Sequence, residues 1–104
     1  MMISEIDVQE LSRLRETGEK HTLVDIRSPM EIQQGSISNS ENIPMNQIPE
    51  HIARFKEMDK VVLYCRSGAR SAHACAFLGA QGLDNIINLK GGIIAWSQSG
   101  QPVS

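Results

Sequence analysis

The sequence predicts an α/β domain built on a largely parallel sheet, and three observations carry that expectation. Short apolar runs with strand character alternate with helix-like segments from Asp7 to the end of the chain. One of these runs, Val61-Val62-Leu63-Tyr64, is apolar at every position, as a parallel strand covered on both faces should be. The segment that follows closely, Ser71 to Gln81, is apolar nearly all round and reads as a buried helix.

At 104 residues there is room for one core, so a single domain over 1–104 is expected. Hydrophobic residues make up 40% and charged residues 21%, values of a soluble globular chain that argue against disorder. Ten basic against twelve acidic side chains leave a formal charge of -2, which offers no attraction to nucleic acid or to an anionic membrane. No apolar run approaches the length of a membrane span. Met1-Met2-Ile3-Ser4-Glu5 lacks the basic and apolar regions of a secretory signal, so a cytoplasmic location is expected. Both cysteines, Cys65 and Cys75, are then expected to be free thiols. With no Cys-x-x-Cys and three scattered histidines, neither a metal nor any other cofactor is expected.

Taken in order, Asp7 and Glu10 form a capping box that starts a helix with Leu11 and Leu14 facing inward, and Gly18 ends it. Thr22 to Ile26 is a strand. Pro29 suits the first turn of a short helix running to Gln34, stopped by Gly35. Ser36 to Glu41 is polar connection, and Asn42-Ile43-Pro44 has the character of a short edge strand, because proline lacks a ladder donor. Pro49 is expected to open a helix with Ile52 and Phe55 on one face, ending near Met58. After the Val61–Tyr64 strand and the Ser71–Gln81 helix, Ile86 to Leu89 supplies another strand. Gly91-Gly92 then turns the chain into a last helix bearing Ile93, Ala95 and Trp96.

Chemistry concentrates in Cys65-Arg66-Ser67-Gly68-Ala69-Arg70-Ser71, between the most apolar strand and the most apolar helix. Ligands of open α/β sheets bind at the carboxyl ends of strands, where this loop lies. Ser67, Gly68 and Ala69 are small enough to curl with several N–H groups pointing inward, and the helix start adds its own free amides and positive dipole end. A cysteine so placed, with Arg66 and Arg70 nearby, should be depressed from its usual pKa of about 8.5 and act as a nucleophilic thiolate. Cysteine phosphatases place five residues between cysteine and arginine. Here Arg66, Ser67, Gly68 and Ala69 intervene before Arg70, and Ser71 holds the phosphatase position. The smaller ring suits one extra sulfur better than a tetrahedral phosphate.

With those residues in view, the chain resembles a rhodanese homology domain over nearly its whole length. The Asp-x-Arg element of that family is matched by Asp25-Ile26-Arg27, and its following acidic residue by Glu31. The Gly-His-Ile-Pro-Gly-Ala-x-Asn-Ile-Pro stretch corresponds to Gly35 through Pro44, the six-residue cysteine loop to Cys65 through Arg70, and the late Gly-Gly-x-x-x-Trp to Gly91, Gly92 and Trp96. Ser36 for histidine and Ser38 for proline depart from the pattern, in the polar connection and away from the cysteine. The resemblance implies about five mainly parallel strands flanked by helices. It also implies a two-step reaction, in which Cys65 takes sulfur from a small anionic donor such as thiosulfate and gives it to cyanide, a small thiol or a protein thiol. Cys65 is then the catalytic residue, with Arg66, Ser67, Gly68, Ala69 and Arg70 binding substrate and Asp25, Arg27 and Glu31 in support.

Several residues have competing readings. Cys75, on the apolar helix, is assigned to packing over a resolving thiol. For Arg66, steering of an anionic donor and an ordinary surface position both stay open, whereas Arg70 is assigned to an ion pair with Asp25 or Glu31. Asp25 and Arg27 are expected to brace the loop. Gly68 is expected to serve through its backbone, Trp96 and Phe77 to lie in the core and His73 to be half exposed, while His21 and His51 carry no signal. The rival functions are a phosphatase or arsenate reductase on the same scaffold, and a domain that only binds partners or relays a persulfide.

Overall fold

Val61–Tyr64 is the middle strand of a five-stranded parallel sheet, and its side chains feed two separate apolar layers. The structure is a computed structural model that describes residues 3–104; Met1 and Met2, which begin the segment read for a signal, lie outside the described residues. The strands are β1 (Ser4–Ile6), β2 (Thr22–Asp25), β3 (Ser40–Asn42), β4 (Val61–Tyr64) and β5 (Ile86–Leu89), in the order β1-β5-β4-β2-β3. The helices are α1 (Val8–Thr17), α2 (Pro29–Ile32), α3 (Ile52–Lys56), α4 (Ala69–Ala80) and α5 (Gly92–Gln98).

Because side chains alternate across a strand, Val61 and Leu63 join Val24, Phe55 of α3 and Leu78 of α4 on one face of the sheet. Val62 and Tyr64 join Leu11 of α1 and Ile93 and Trp96 of α5 on the other. The helices therefore cover both faces, which is why the central strand carries no polar side chain except a tyrosine. Its hydroxyl accepts from Ile37 N–H at 3.1 Å and lies 2.9 Å from Ser40 Oγ. Ser40 spends its own proton on the Ile37 carbonyl at 2.7 Å, so Tyr64 is the donor between the two hydroxyls.

Strand register sets what meets at the carboxyl edge. Asp25 pairs with Tyr64, Leu63 with Asn88, and Asn88 with Glu5. The ends of β2, β4 and β5 thus deliver Asp25, Cys65 and Asn88 to one rim of the sheet. Helix starts are capped as local chemistry dictates: Asp7 and Glu10 form the box at α1, and Ser28 and Glu31 form a second at α2 with Pro29 in its first turn.

Four expectations require correction. β1 has no counterpart in the strand runs read from the sequence, since three residues with two exposed polar side chains make no apolar pattern. The edge strand is Ser40–Asn42, two residues before the Asn42–Pro44 run, which leaves Pro44 outside the ladder. Pro49 opens no α-helix: it sits inside a 3-10 segment, Met45–His51, that runs on into α3. Helix α4 begins at Ala69 and buries one side through Ser71, Ala74, Cys75 and Leu78, while Phe77 is 40% exposed and not in the core. Its outer face looks apolar in sequence because alanine and glycine occupy it.

Replacing Tyr64 by phenylalanine leaves the buried Ile37 N–H without an acceptor, so Y64F should lose about 1–3 kcal/mol of stability. Urea unfolding checks this as a lower midpoint at unchanged slope.

Candidate active site

The chain leaves β4 at Tyr64 and closes a tight loop over Cys65 before α4 begins at Ala69. What bends it is a clamp from the neighbouring turn. Ile93 N–H donates to the Cys65 carbonyl at 3.0 Å and Ile94 N–H to the Arg66 carbonyl at 3.1 Å, so the free amides of the α5 N-terminus hold two successive loop carbonyls. A trans peptide sets its N–H opposite its C=O, so anchoring these carbonyls on α5 turns the amides of Arg66 and Ser67 to the other side of the chain. Gly92 makes the approach feasible. It has φ +58°, and a Cβ there would overlap the carbonyl oxygens of Cys65 and Arg66.

Inside the loop, Cys65 Sγ accepts from Gly68 N–H at 3.1 Å and from Ser71 N–H at 3.4 Å, and Ser71 Oγ also lies 3.4 Å away. Gly68 reaches this position only with φ +97°, and a Cβ on it would lie 3.1 Å from Gly91 N. Both conditions call for glycine. Burial pushes the Cys65 thiol upward, but the Ser71 hydroxyl and the amides of Ser71, Gly68 and Ser67 outweigh it, and the thiol sits below its ordinary value of 9.0. The depression comes from amides and a hydroxyl more than from the arginines of the loop. Cys75, in contrast, is pushed up to about 12 by burial with no donor to offset it, and it packs in the core beside Ala74 and Leu78.

Loop and frame are joined by ions. Arg70 Nη1 and Nη2 donate to Glu31 Oε1 and Oε2 at 2.9 and 2.8 Å, a two-pronged grip between the first turn of α4 and α2. Glu31 is thus both the capping residue of α2 and the partner of Arg70, which meets it and not Asp25. Asp25 and Arg27 form a buried pair at 2.7 Å, and Arg27 also donates to the Gly35 carbonyl at 2.7 Å. Their hydrogen bonds fix the end of β2 against the segment after α2; none among the described residues goes to the cysteine loop.

Arg66 and Ser67 are exposed on the rim, and Arg66 has no carboxylate partner among the described residues. It borders a groove of about 370 Å3 shared with Arg27, Glu31, Ile94 and Ser97. Cys65 itself is wholly buried, so a reagent reaches the sulfur only when the groups over it move aside. Two residues of the site were missed in the sequence: Ser71, read as a helix start, and Asn88, read as strand. Asn88 is buried, and its Oδ1 accepts from Ser71 Oγ at 2.5 Å. A polar residue inside the apolar run Ile86–Leu89 was the available signal. Ser36 and Ser38 of the polar connection also find partners: Ser36 pairs with Ser104 through both main-chain groups, and Ser38 Oγ accepts from Arg15.

Comparison with known proteins follows the same lines. A model of the rhodanese-like domain family matches residues 7–99. The chain belongs to the rhodanese-like domain family. A sulfurtransferase of Allochromatium vinosum is 47% identical over 102 residues, spanning 98% of this chain and 95% of that one. Among solved structures, a rhodanese-related protein of Thermoplasma volcanium superposes with a TM-score of 0.80 at 36% identity, covering 97% of each chain. A Rhodopseudomonas palustris protein of unknown function, described as a possible tyrosine phosphatase, superposes with a TM-score of 0.90 at 29% identity, covering 98% of this chain and 85% of that one. Family and relatives together support an enzyme of the sulfurtransferase kind.

The Glu31 carboxyl is held down at about 2, chiefly by its hydrogen bonds from Arg70. A folded value below the unfolded 4.5 means that the pair's contribution is complete above about 4.5 and fades as pH falls toward 2. Glu31→Gln should therefore be less stable than wild type at neutral pH, with the gap closing on acidification. Melting curves of both proteins from neutral pH to about pH 2 check this, and parallel curves would refute it.

Proposed function

We propose that this rhodanese-like domain carries a sulfane sulfur as a persulfide on Cys65, accepting it from a small anionic donor such as thiosulfate and delivering it to cyanide or a thiol. The observation that supports this reading best is the set of donors aimed at one sulfur: Gly68 N–H, Ser71 N–H and the Ser71 hydroxyl, all within 3.4 Å. The two amides stabilise an anion at a fixed point without reorganising, and the hydroxyl lies close enough to turn toward it. In the first step the Cys65 thiolate attacks the outer sulfur of thiosulfate; the S–S bond breaks and sulfite leaves with the bonding pair. In the second, the acceptor attacks the outer sulfur of the persulfide, and the Cys65 thiolate is the leaving group. Cyanide becomes thiocyanate, and a thiolate acceptor becomes a persulfide in turn. No electrons are gained or lost overall, and no cofactor is called upon.

The loop from Arg66 to Arg70 holds the donor in this scheme. Arg66, an exposed cation without a carboxylate partner among the described residues, draws the doubly charged donor to the rim. Ser67, Gly68 and Ala69 supply the curled backbone. Arg70 is already engaged by Glu31, which keeps the loop in place and leaves its guanidinium less free to grip a phosphoryl group. That engagement, with four residues between Cys65 and Arg70, favours sulfur transfer over a phosphatase. Asp25, Arg27 and Glu31 support the loop from β2 and α2. The acceptor is cyanide, a small thiol or a protein thiol, approaching past the exposed side chains of Arg66 and Ser67. Free thiols at both cysteines suit a cytoplasmic setting, where reductants keep them so. No helix of the described residues is long and apolar enough to cross a membrane.

Incubation with thiosulfate should raise the intact mass by one sulfur atom, and cyanide should then release thiocyanate and restore the original mass. Cys65→Ser should show neither event, while Cys75→Ala should show both. A wild-type protein that gains no sulfur and makes no thiocyanate would overturn the proposal.

A further inference from the structure

Beneath the cysteine loop lies a chain of buried polar contacts that sulfur transfer as described above leaves unused. Asn88 of β5 is buried, and its amide is held from three sides. Nδ2 donates to Glu5 Oε2 on β1 at 2.9 Å and to the Gly68 carbonyl at 3.3 Å, while Oδ1 accepts from the Ser71 hydroxyl at 2.5 Å. The orientation is forced, because a carboxylate and a carbonyl only accept, so the NH2 end must face them and the oxygen must face Ser71. Ser71 is wholly buried and has one hydroxyl proton, with two acceptors in reach: Asn88 Oδ1 at 2.5 Å and Cys65 Sγ at 3.4 Å.

We propose that Asn88 is a positioning residue for Cys65, which competes with the sulfur for the single hydroxyl proton of Ser71 and so limits how strongly that hydroxyl can stabilise the anionic sulfur. While Cys65 is a thiol, its S–H donates to Ser71 Oγ and the Ser71 proton stays on Asn88. When the thiol loses its proton, the hydroxyl must swing to the sulfur, and Asn88 Oδ1 is left buried without a donor. That opposing cost keeps the sulfur basic enough to remain a good nucleophile, since thiolate reactivity falls as its pKa falls. Glu5, the cross-strand neighbour of Asn88, pins the amide from the sheet edge. The other charged or titratable groups bordering the loop are Arg66, Arg70 with Glu31 of α2, Arg27 with Asp25 of β2, and Cys75 farther along α4. None of them is hydrogen-bonded to Ser71 or Asn88 among the described residues.

The inference rests on Cys65 being the reactive thiol, and its test is the pH profile of Cys65 alkylation by iodoacetamide, read by mass spectrometry without any sulfur donor. Asn88→Leu removes the competing acceptor and should lower the midpoint of the profile by about one unit. Asn88→Asp places a stronger acceptor and a like charge there and should raise it. In a Ser71→Ala background, Asn88→Leu should shift nothing, because no proton is left to compete for. Asn88→Ala substitutes where leucine does not fit, and Asn88→Asp, which keeps the shape, carries the test where neither apolar variant folds. A purely structural role predicts movement in one direction for all variants. Apolar variants with an unmoved or raised midpoint, an aspartate variant whose midpoint does not rise, or a leucine shift that persists without Ser71 would overturn the proposal. A wild-type protein that accepts no sulfur from thiosulfate yet shows the predicted order of midpoints would count against the functional reading alone.

Discussion

A sulfur atom shut away from water can hold negative charge only where the protein itself supplies hydrogen-bond donors, and the architecture around Cys65 places three of them within 3.4 Å. Leaving an ion unsolvated in the interior is strongly unfavourable. Here the solvating groups are main-chain amides, whose positions are fixed by the fold, and one buried hydroxyl within 3.4 Å of the sulfur. Amides are better suited than the arginines of the loop. A guanidinium at the rim is wet and screened, whereas an N–H at 3.1 Å inside the loop acts in a low-dielectric setting.

Much of the surrounding structure follows from holding those amides in place. The end of the central strand must stop where the first free amides of α4 begin, and the loop between has only a few residues to reverse direction. The α5 N-terminus controls that reversal by taking the carbonyls of Cys65 and Arg66, and it can come so close only because position 92 lacks a side chain. Two helix N-termini therefore serve one cysteine in different ways, α4 by facing the sulfur and α5 by facing the backbone that presents it. Glu31 adds a tether from α2 through its two-pronged contact with Arg70.

Fold class and the curled loop that turns amides toward Cys65 were legible in the sequence because their signals are local. Val61–Tyr64 reads as a doubly covered strand from its composition alone, the Asp7–Glu10 box is a spacing rule, and a cysteine followed by small residues before a helix has few structural alternatives. The errors have equally physical causes. β1 is too short and too polar to show a period, and it becomes a strand only because β5 offers it a partner. Phe77 looks like core because its neighbours are alanines, yet it lies on the outer side of α4. Ser71 and Asn88 escaped because their significance is a contact between β5 and α4, seventeen residues apart, that no spacing rule encodes.

The folded loop stabilises charge on Cys65 more than burial opposes it. Thiolate absorbance of the wild-type protein, corrected with Cys65→Ala and followed across pH in the folded and urea-unfolded states, tests it directly. Burial pushes the Cys75 thiol up to about 12 in the folded chain, and subtracting the Cys65→Ala signal removes its contribution in both states. A folded midpoint below the unfolded one is the expected result; a folded midpoint equal to or above it would contradict the account.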